Sequence, residues 1–99
     1  MSGSVFSPAA KEDLLEIVDY IAGRSPDAAE RLRDRFLAAV EMLARRPALG
    51  HVRHDLVRPE LNVRFWPVRR YLIIYRPGPH GIQVVRIPSG YRDIAATLS

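Results

Sequence analysis

The spacing of apolar residues changes partway along this chain. From Pro8 to Arg45 they recur every three or four positions; beyond Asn62 they come as short runs and alternations. In the first region Ala10, Leu14, Ile17, Val18 and Ile21 share one helical face, and Glu12, Asp13, Glu16 and Asp19 occupy the others. Ser7-Pro8 supplies a cap and a first-turn proline, and Gly23 marks the end. Ser25-Pro26 repeats the opening, and a second helix is predicted to run to about Arg45 with Ala29, Leu32, Phe36, Ala39, Val40 and Leu43 as its apolar stripe. Asp27 and Glu30 near its start and Arg45 and Arg46 at its end suit the helix dipole. Pro47 forbids continuation. Two such helices joined by a few residues predict an antiparallel hairpin.

The second half predicts strands. Tyr71–Tyr75, apolar on both faces, reads as the central one. Asn62–Val68 alternates, with Pro67 placing it at an edge or an end, and Ile82–Ile87 returns after the turn signals of Pro77–Gly81. Val5–Phe6 reads as a brief first strand, Pro47–Gly50 as a turn, and His51–Glu60 as an irregular connection with one short extended piece. Pro88-Ser89-Gly90 breaks the last strand, leaving Tyr91–Leu98 as a short tail or helix. The expected fold class is α+β: an N-terminal helical hairpin packed on one face of a small antiparallel β-sheet. The chain has 99 residues, nearly half of them apolar, and is expected to form one domain spanning 1–99.

Composition narrows the chemistry. With no cysteine, disulfides and thiolate metal sites are excluded. No apolar run approaches the ~20 residues of a membrane span, and the start MSGSVFSPAAKED lacks the basic-then-apolar order of a secretory leader. A soluble cytoplasmic protein with no membrane association is expected. Charge is uneven: five basic residues face eight acidic ones up to Ala44, whereas ten arginines face Asp55, Glu60 and Asp93 from Arg45 onward. A basic half suggests a polyanionic or acidic partner. The basic residues are arginines apart from Lys11; a G+C-rich genome would enrich them too.

His51, His54 and Asp55 are close in sequence, but a metal needs three or four converging ligands and nothing brings His80 to them. Pro77–Gly81 has neither the Walker spacing nor a following helix. No cofactor and no metal is expected. The arginines are the remaining signal. Arg69, Arg70, Arg76, Arg86 and Arg92 are expected to form a basic patch on the open sheet face and its rim, beside Trp66, Tyr71, Tyr75 and Tyr91. RNA, an acidic peptide or solvent alone would each suit such a patch. Metal-free RNA cleavage would also need an acid and a base; Tyr91 and Asp93 are the nearby alternatives to the turn residue His80.

SPAAKEDLLEIVDYIA, then SPDAAERLRDRFLAAVEMLARRPALG, RRYLIIYR and VVRIPSGYRDI resemble, in order, the RelE/ParE superfamily of bacterial toxin–antitoxin pairs. The Pro47-to-Gly50 spacing, Tyr71-x-x-x-Tyr75-Arg76 and the terminal Arg92-Asp93 carry the resemblance together. It implies a helical hairpin on a small sheet and a cognate ParD-like antitoxin bound in a hetero-oligomer. It implies one of two targets: DNA gyrase for ParE-like members, mRNA in the ribosomal A site for RelE-like ones. The histidine that many ParE-like relatives carry near Pro88-Ser89 is absent here, which weighs against histidine-dependent cleavage and towards a ParE-like inhibitor. On that resemblance the target-binding residues are Arg69, Arg70, Arg76, Arg86, Tyr91 and Arg92. A nuclease would use Arg70, Arg76, Tyr91 and Arg92. The expected antitoxin anchors are Leu15, Leu37 and Met42, which lie off the core stripes.

Overall fold

The computed structural model describes residues 3–89 and 94–98. Strand β1 (Gly3–Phe6) leads into helices α1 (Pro8–Ala22) and α2 (Pro26–Arg45); strands β2 (Arg64–Val68), β3 (Tyr71–Gly78) and β4 (Gly81–Arg86) follow, and α3 (Ile94–Leu98) comes last. Both helix openings act as their sequences indicate. The Ser7 hydroxyl accepts from the Ala10 N–H at 3.0 Å and donates to the Val85 carbonyl at 2.7 Å, so one side chain caps α1 and ties it to the sheet. The Ser25 hydroxyl accepts from the Ala28 N–H at 3.2 Å.

The four strands lie in the order β1-β4-β3-β2. β2, β3 and β4 form an antiparallel meander, and β1 adds to β4 in parallel, so the sheet is mixed. A parallel neighbour needs a long crossover, and here the whole helical hairpin and two further strands lie between β1 and β4. β3 is longer than Tyr71–Tyr75: Pro77 and Gly78 pair with Ile82 and Gly81, which shrinks the turn to Pro79 and His80. Gly81 makes that possible. Its φ is +138°, and a β-carbon there would run into the backbone of Gly3.

The hairpin packs on one sheet face. Phe36, Val40 and Leu43 of α2 and Ala10 of α1 meet Ile73, Tyr75, Ile82 and Val84. The opposite face is where the sequence expectation fails: it is not open. Val63, Phe65, Leu72, Ile74 and Ile94 form a second buried cluster, covered by Leu56, Val57, Leu61 and Leu98. The connection 51–63 carries too few apolar residues to show a period, yet it folds back over the sheet through a bridge between His51 and Phe65 and a 3-10 turn at Pro59–Leu61.

Tyr75 joins the two halves. Its fully buried hydroxyl accepts from the Gly50 N–H and donates to the Pro47 carbonyl, each at 2.7 Å. Arg64 donates to the Gly50 carbonyl at 2.9 Å from the neighbouring strand. Burial raises the Tyr75 pKa above the usual tyrosine value, partly offset by the Gly50 N–H. A raised folded-state value means that Tyr75 contributes its stability below the unfolded tyrosine pKa and loses it as the pH rises through the higher folded value. Stability should therefore fall from about pH 10 upward. Tyr75→Phe removes this contribution but strands the Gly50 N–H, and should cost about 1–3 kcal/mol at neutral pH. Urea unfolding at neutral and alkaline pH reads both effects: the variant starts lower and its stability falls less steeply with pH.

Candidate functional site

Among the described residues, five arginines gather where the hairpin loop meets the β2–β3 turn. Arg24 leaves the loop after α1, Arg31 and Arg35 are one helical turn apart on α2, and Arg69 and Arg70 form the two-residue turn between paired Val68 and Tyr71. All five line one cleft of about 420 Å3. Ile21, Ala28 and Leu32 also line it, and tilted packing of Phe36 against Tyr71, ring centroids 5.8 Å apart, fixes α2 against the start of β3. Among the described residues no acidic side chain lines the cleft, and none of the five arginines has a salt bridge. Arg24 lies over the Tyr20 ring, 5.2 Å from its centroid, and Tyr20 is 61% exposed.

Arg69 has a φ of +58°. At the first position of a tight hairpin turn, that left-handed conformation is one that glycine or asparagine adopts with less strain than a long side chain. An arginine is thus held in a strained backbone conformation at the mouth of an arginine-lined cleft.

The other predicted residues do not converge there. Arg76 lies towards the far end of β3 and donates to the Leu61 carbonyl at 3.1 Å and to the Gln83 amide oxygen at 3.3 Å. It borders a different depression, between β1 and the β3–β4 hairpin. Arg86 is engaged structurally. Its guanidinium donates to both carboxylate oxygens of Asp13 at 2.8 and 3.0 Å and to the Thr97 carbonyl at 3.2 Å. The bonds to Asp13, outweighing partial burial, hold its pKa above the usual arginine value. Asp13 also accepts from the Ile87 N–H at 2.9 Å, so one acidic residue of α1 ties down the end of β4 and, through Arg86, the C-terminal helix. The strand is irregular at this point: Ile74 pairs with Arg86 and Tyr75 with Val84, leaving Val85 without an opposite residue. A bulge of this kind re-aims neighbouring side chains. Arg86 was expected on the open rim; it faces α1 instead. Tyr91, Arg92 and Asp93 lie outside the described residues.

His51 stacks on Trp66 with centroids 6.1 Å apart, and Arg53 grips Asp55 through two bonds of 2.9 and 2.8 Å. That grip lowers the Asp55 pKa. Among the described residues no three histidine, cysteine or acidic side chains converge as a metal site would require. Of the expected anchors, Leu15 is 62% and Leu37 44% exposed, whereas Met42 packs partly against the main core. Leu37 borders a groove between α2 and β1 that Leu15 does not reach.

Sequence reasoning missed Arg24, Arg31 and Arg35 because it weighed the first half as net acidic. The i, i+4 spacing of Arg31 and Arg35 was the available signal. It also missed Asp13, which reads as one more solvated charge on the polar side of α1.

Residues 5–94 match the family model described as the ParE toxin of the type II toxin–antitoxin system, parDE. The chain is 32% identical over 87 residues to a protein named Toxin RelE3 from Caulobacter vibrioides, an alignment that covers 88% of this chain and 92% of that one. In fold it is similar to a chain of the structure titled "Chromosomal ParDE TA system from P. aeruginosa", with a TM-score of 0.72 and 22% identity over 91% of this chain and 97% of the other.

Proposed function

Since the chain belongs to the ParE toxin family of type II toxin–antitoxin systems, we propose that it acts as a ParE-like toxin that inhibits DNA gyrase by binding and is neutralised by a cognate ParD-like antitoxin. One observation supports binding over cleavage. Arg70 and Arg76, the sheet residues a nuclease would use together, are six positions apart along an extended strand, about 20 Å, and they border different depressions. With Arg76 held by Leu61 and Gln83, the two as placed do not converge on a single scissile phosphate. The reaction would need charge stabilisation and proton transfer focused on one phosphorus centre. Target contact is therefore assigned to Arg69 and Arg70 at the cleft, with Tyr91 and Arg92 in the tail. Arg86 serves by positioning that tail.

The antitoxin occupies the exposed apolar positions Leu15 on α1 and Leu37 on α2, forming a hetero-oligomer in the cytoplasm. Among the described residues no helix is long and apolar enough to cross a membrane. A purely inhibitory role requires no cofactor.

The name of the Caulobacter relative favours a second reading, a RelE-like ribosome-dependent mRNA endonuclease. Induced expression in cells with pulse labelling of DNA and protein separates the two. DNA synthesis should stop first, and co-expression of the antitoxin should restore growth. Immediate arrest of protein synthesis with DNA synthesis continuing would instead establish the ribosomal reading.

A further inference from the structure

We propose that the five-arginine cleft is a binding site for the phosphodiester backbone of a nucleic acid. Three separate segments supply its charge: the hairpin loop through Arg24, α2 through Arg31 and Arg35, and the β2–β3 turn through Arg69 and Arg70. Five like charges around one concavity repel one another, and no carboxylate among the described residues forms a salt bridge with any of them. A bound polyanion does. Arg69 strengthens the assignment, because its left-handed backbone puts an arginine where glycine would fit with less strain. Arg31 and Arg35 project from α2 about 6 Å apart along its axis, a step comparable to that between successive phosphates of one strand. Tyr20, largely exposed beside Arg24, adds a ring on which an unpaired base can stack.

A phosphodiester suits the cleft better than an acidic peptide does. Exposed guanidinium–carboxylate pairs contribute little each. A peptide held only by such pairs would need apolar anchors or a backbone edge; Ile21, Ala28 and Leu32 offer a small apolar floor, but the helix surface and closed turn that wall the cleft offer no strand edge. A nucleic acid carries condensed counterions, and their release adds to binding for every phosphate neutralised. The assignment deepens the reading of Arg69 and Arg70 as target contacts, taking the nucleic acid that accompanies the target as what they touch, and duplex DNA and single-stranded RNA present the same phosphodiester chemistry.

Fluorescence anisotropy of the full chain with a labelled duplex of about 20 base pairs, and with single-stranded RNA of the same length, tests it across salt. With three to five phosphates engaged, affinity for the duplex should fall roughly a hundredfold between about 50 and 200 mM salt. Arg31→Gln with Arg35→Gln should reduce the magnitude of the salt slope by about two. Arg46→Gln with Arg58→Gln removes the same net charge outside the cleft and should leave the slope unchanged. Arg69→Gly should weaken binding while melting no lower than the natural chain, which separates loss of binding from loss of fold. Preference for duplex or for RNA identifies the source of the backbone. Equal losses in both double variants would reduce the effect to net charge and overturn the site. Binding of a polyglutamate peptide as tight as that of the nucleic acids at matched salt would overturn the phosphodiester assignment, as would the absence of binding to either nucleic acid.

Discussion

Asp13→Ala is expected to destabilise the protein by about 3 kcal/mol, near the lower end of the cost of stripping one partner from a buried ion pair. Asp13 accepts three hydrogen bonds, two from Arg86 and one from the Ile87 N–H. Its side chain is 15% exposed and that of Arg86 34%, so residual solvation keeps the cost from going higher. The variant leaves a guanidinium partly buried without its counter-charge and a backbone donor without an acceptor. Asp13→Asn keeps an acceptor and should lose less. Because Arg86 also donates to the Thr97 carbonyl, Asp13→Ala should loosen α3 before the sheet melts. Amide exchange measures this directly: protection should fall first at 94–98 and at Ile87. A uniform loss across the sheet would show that the pair supports the fold generally and does not anchor the C-terminal helix in particular.

Gly50→Ala is expected to cost a similar amount for a different reason. Gly50 has an ordinary extended conformation, with φ −66° and ψ 160°, so backbone freedom is not what the position needs. Space is. A β-carbon would collide with the Tyr75 hydroxyl and ring. Overpacking at a filled site costs about 1–3 kcal/mol, and displacing the ring also breaks the bonds at Gly50 and Pro47. Thermal melting should show Gly50→Ala well below the natural chain. Combining it with Tyr75→Phe should recover part of the loss, because the hydroxyl, the nearest of the three colliding atoms, is gone, although the ring carbons still crowd the new methyl. Additive losses would mean that the collision is not the cause.

The contacts at these two positions were not legible in the sequence, although the elements that carry them were. The helical hairpin was readable because periodicity and caps agree: Ser7-Pro8 and Ser25-Pro26 open helices where expected, and Ala10, Phe36, Val40 and Leu43 form the buried stripe. Tyr71–Tyr75 was readable as a two-sided apolar strand, since both its faces are covered. The covering of the second face was not readable. Leu56, Val57 and Leu61 sit in a polar stretch with no period, and what holds them in place is a long-range bridge from His51 to Phe65. The parallel pairing of β1 was hidden for the same reason, being fixed by register and the close approach at Gly81.

The candidate site divides in the same way. Arg69 and Arg70 were visible as a charged pair at a turn, and the structure brings them to a basic cleft. Arg76 and Arg86 have the same side chain a few residues on, yet cross-strand register and a bulge direct them to Leu61 and Asp13. Arg24, Arg31 and Arg35 join the cleft from an acidic half of the chain, because net charge averages over surfaces that the fold separates.

The most direct test of the proposed inhibition is a supercoiling assay with purified gyrase, relaxed plasmid and the isolated toxin, run with and without an equimolar antitoxin. The toxin should block supercoiling, the antitoxin should restore it, and Arg69→Gly with Arg70→Gln should weaken the block while the protein melts near its natural temperature. Undiminished supercoiling at saturating toxin, together with cleavage of mRNA on translating ribosomes, would contradict the proposed inhibition.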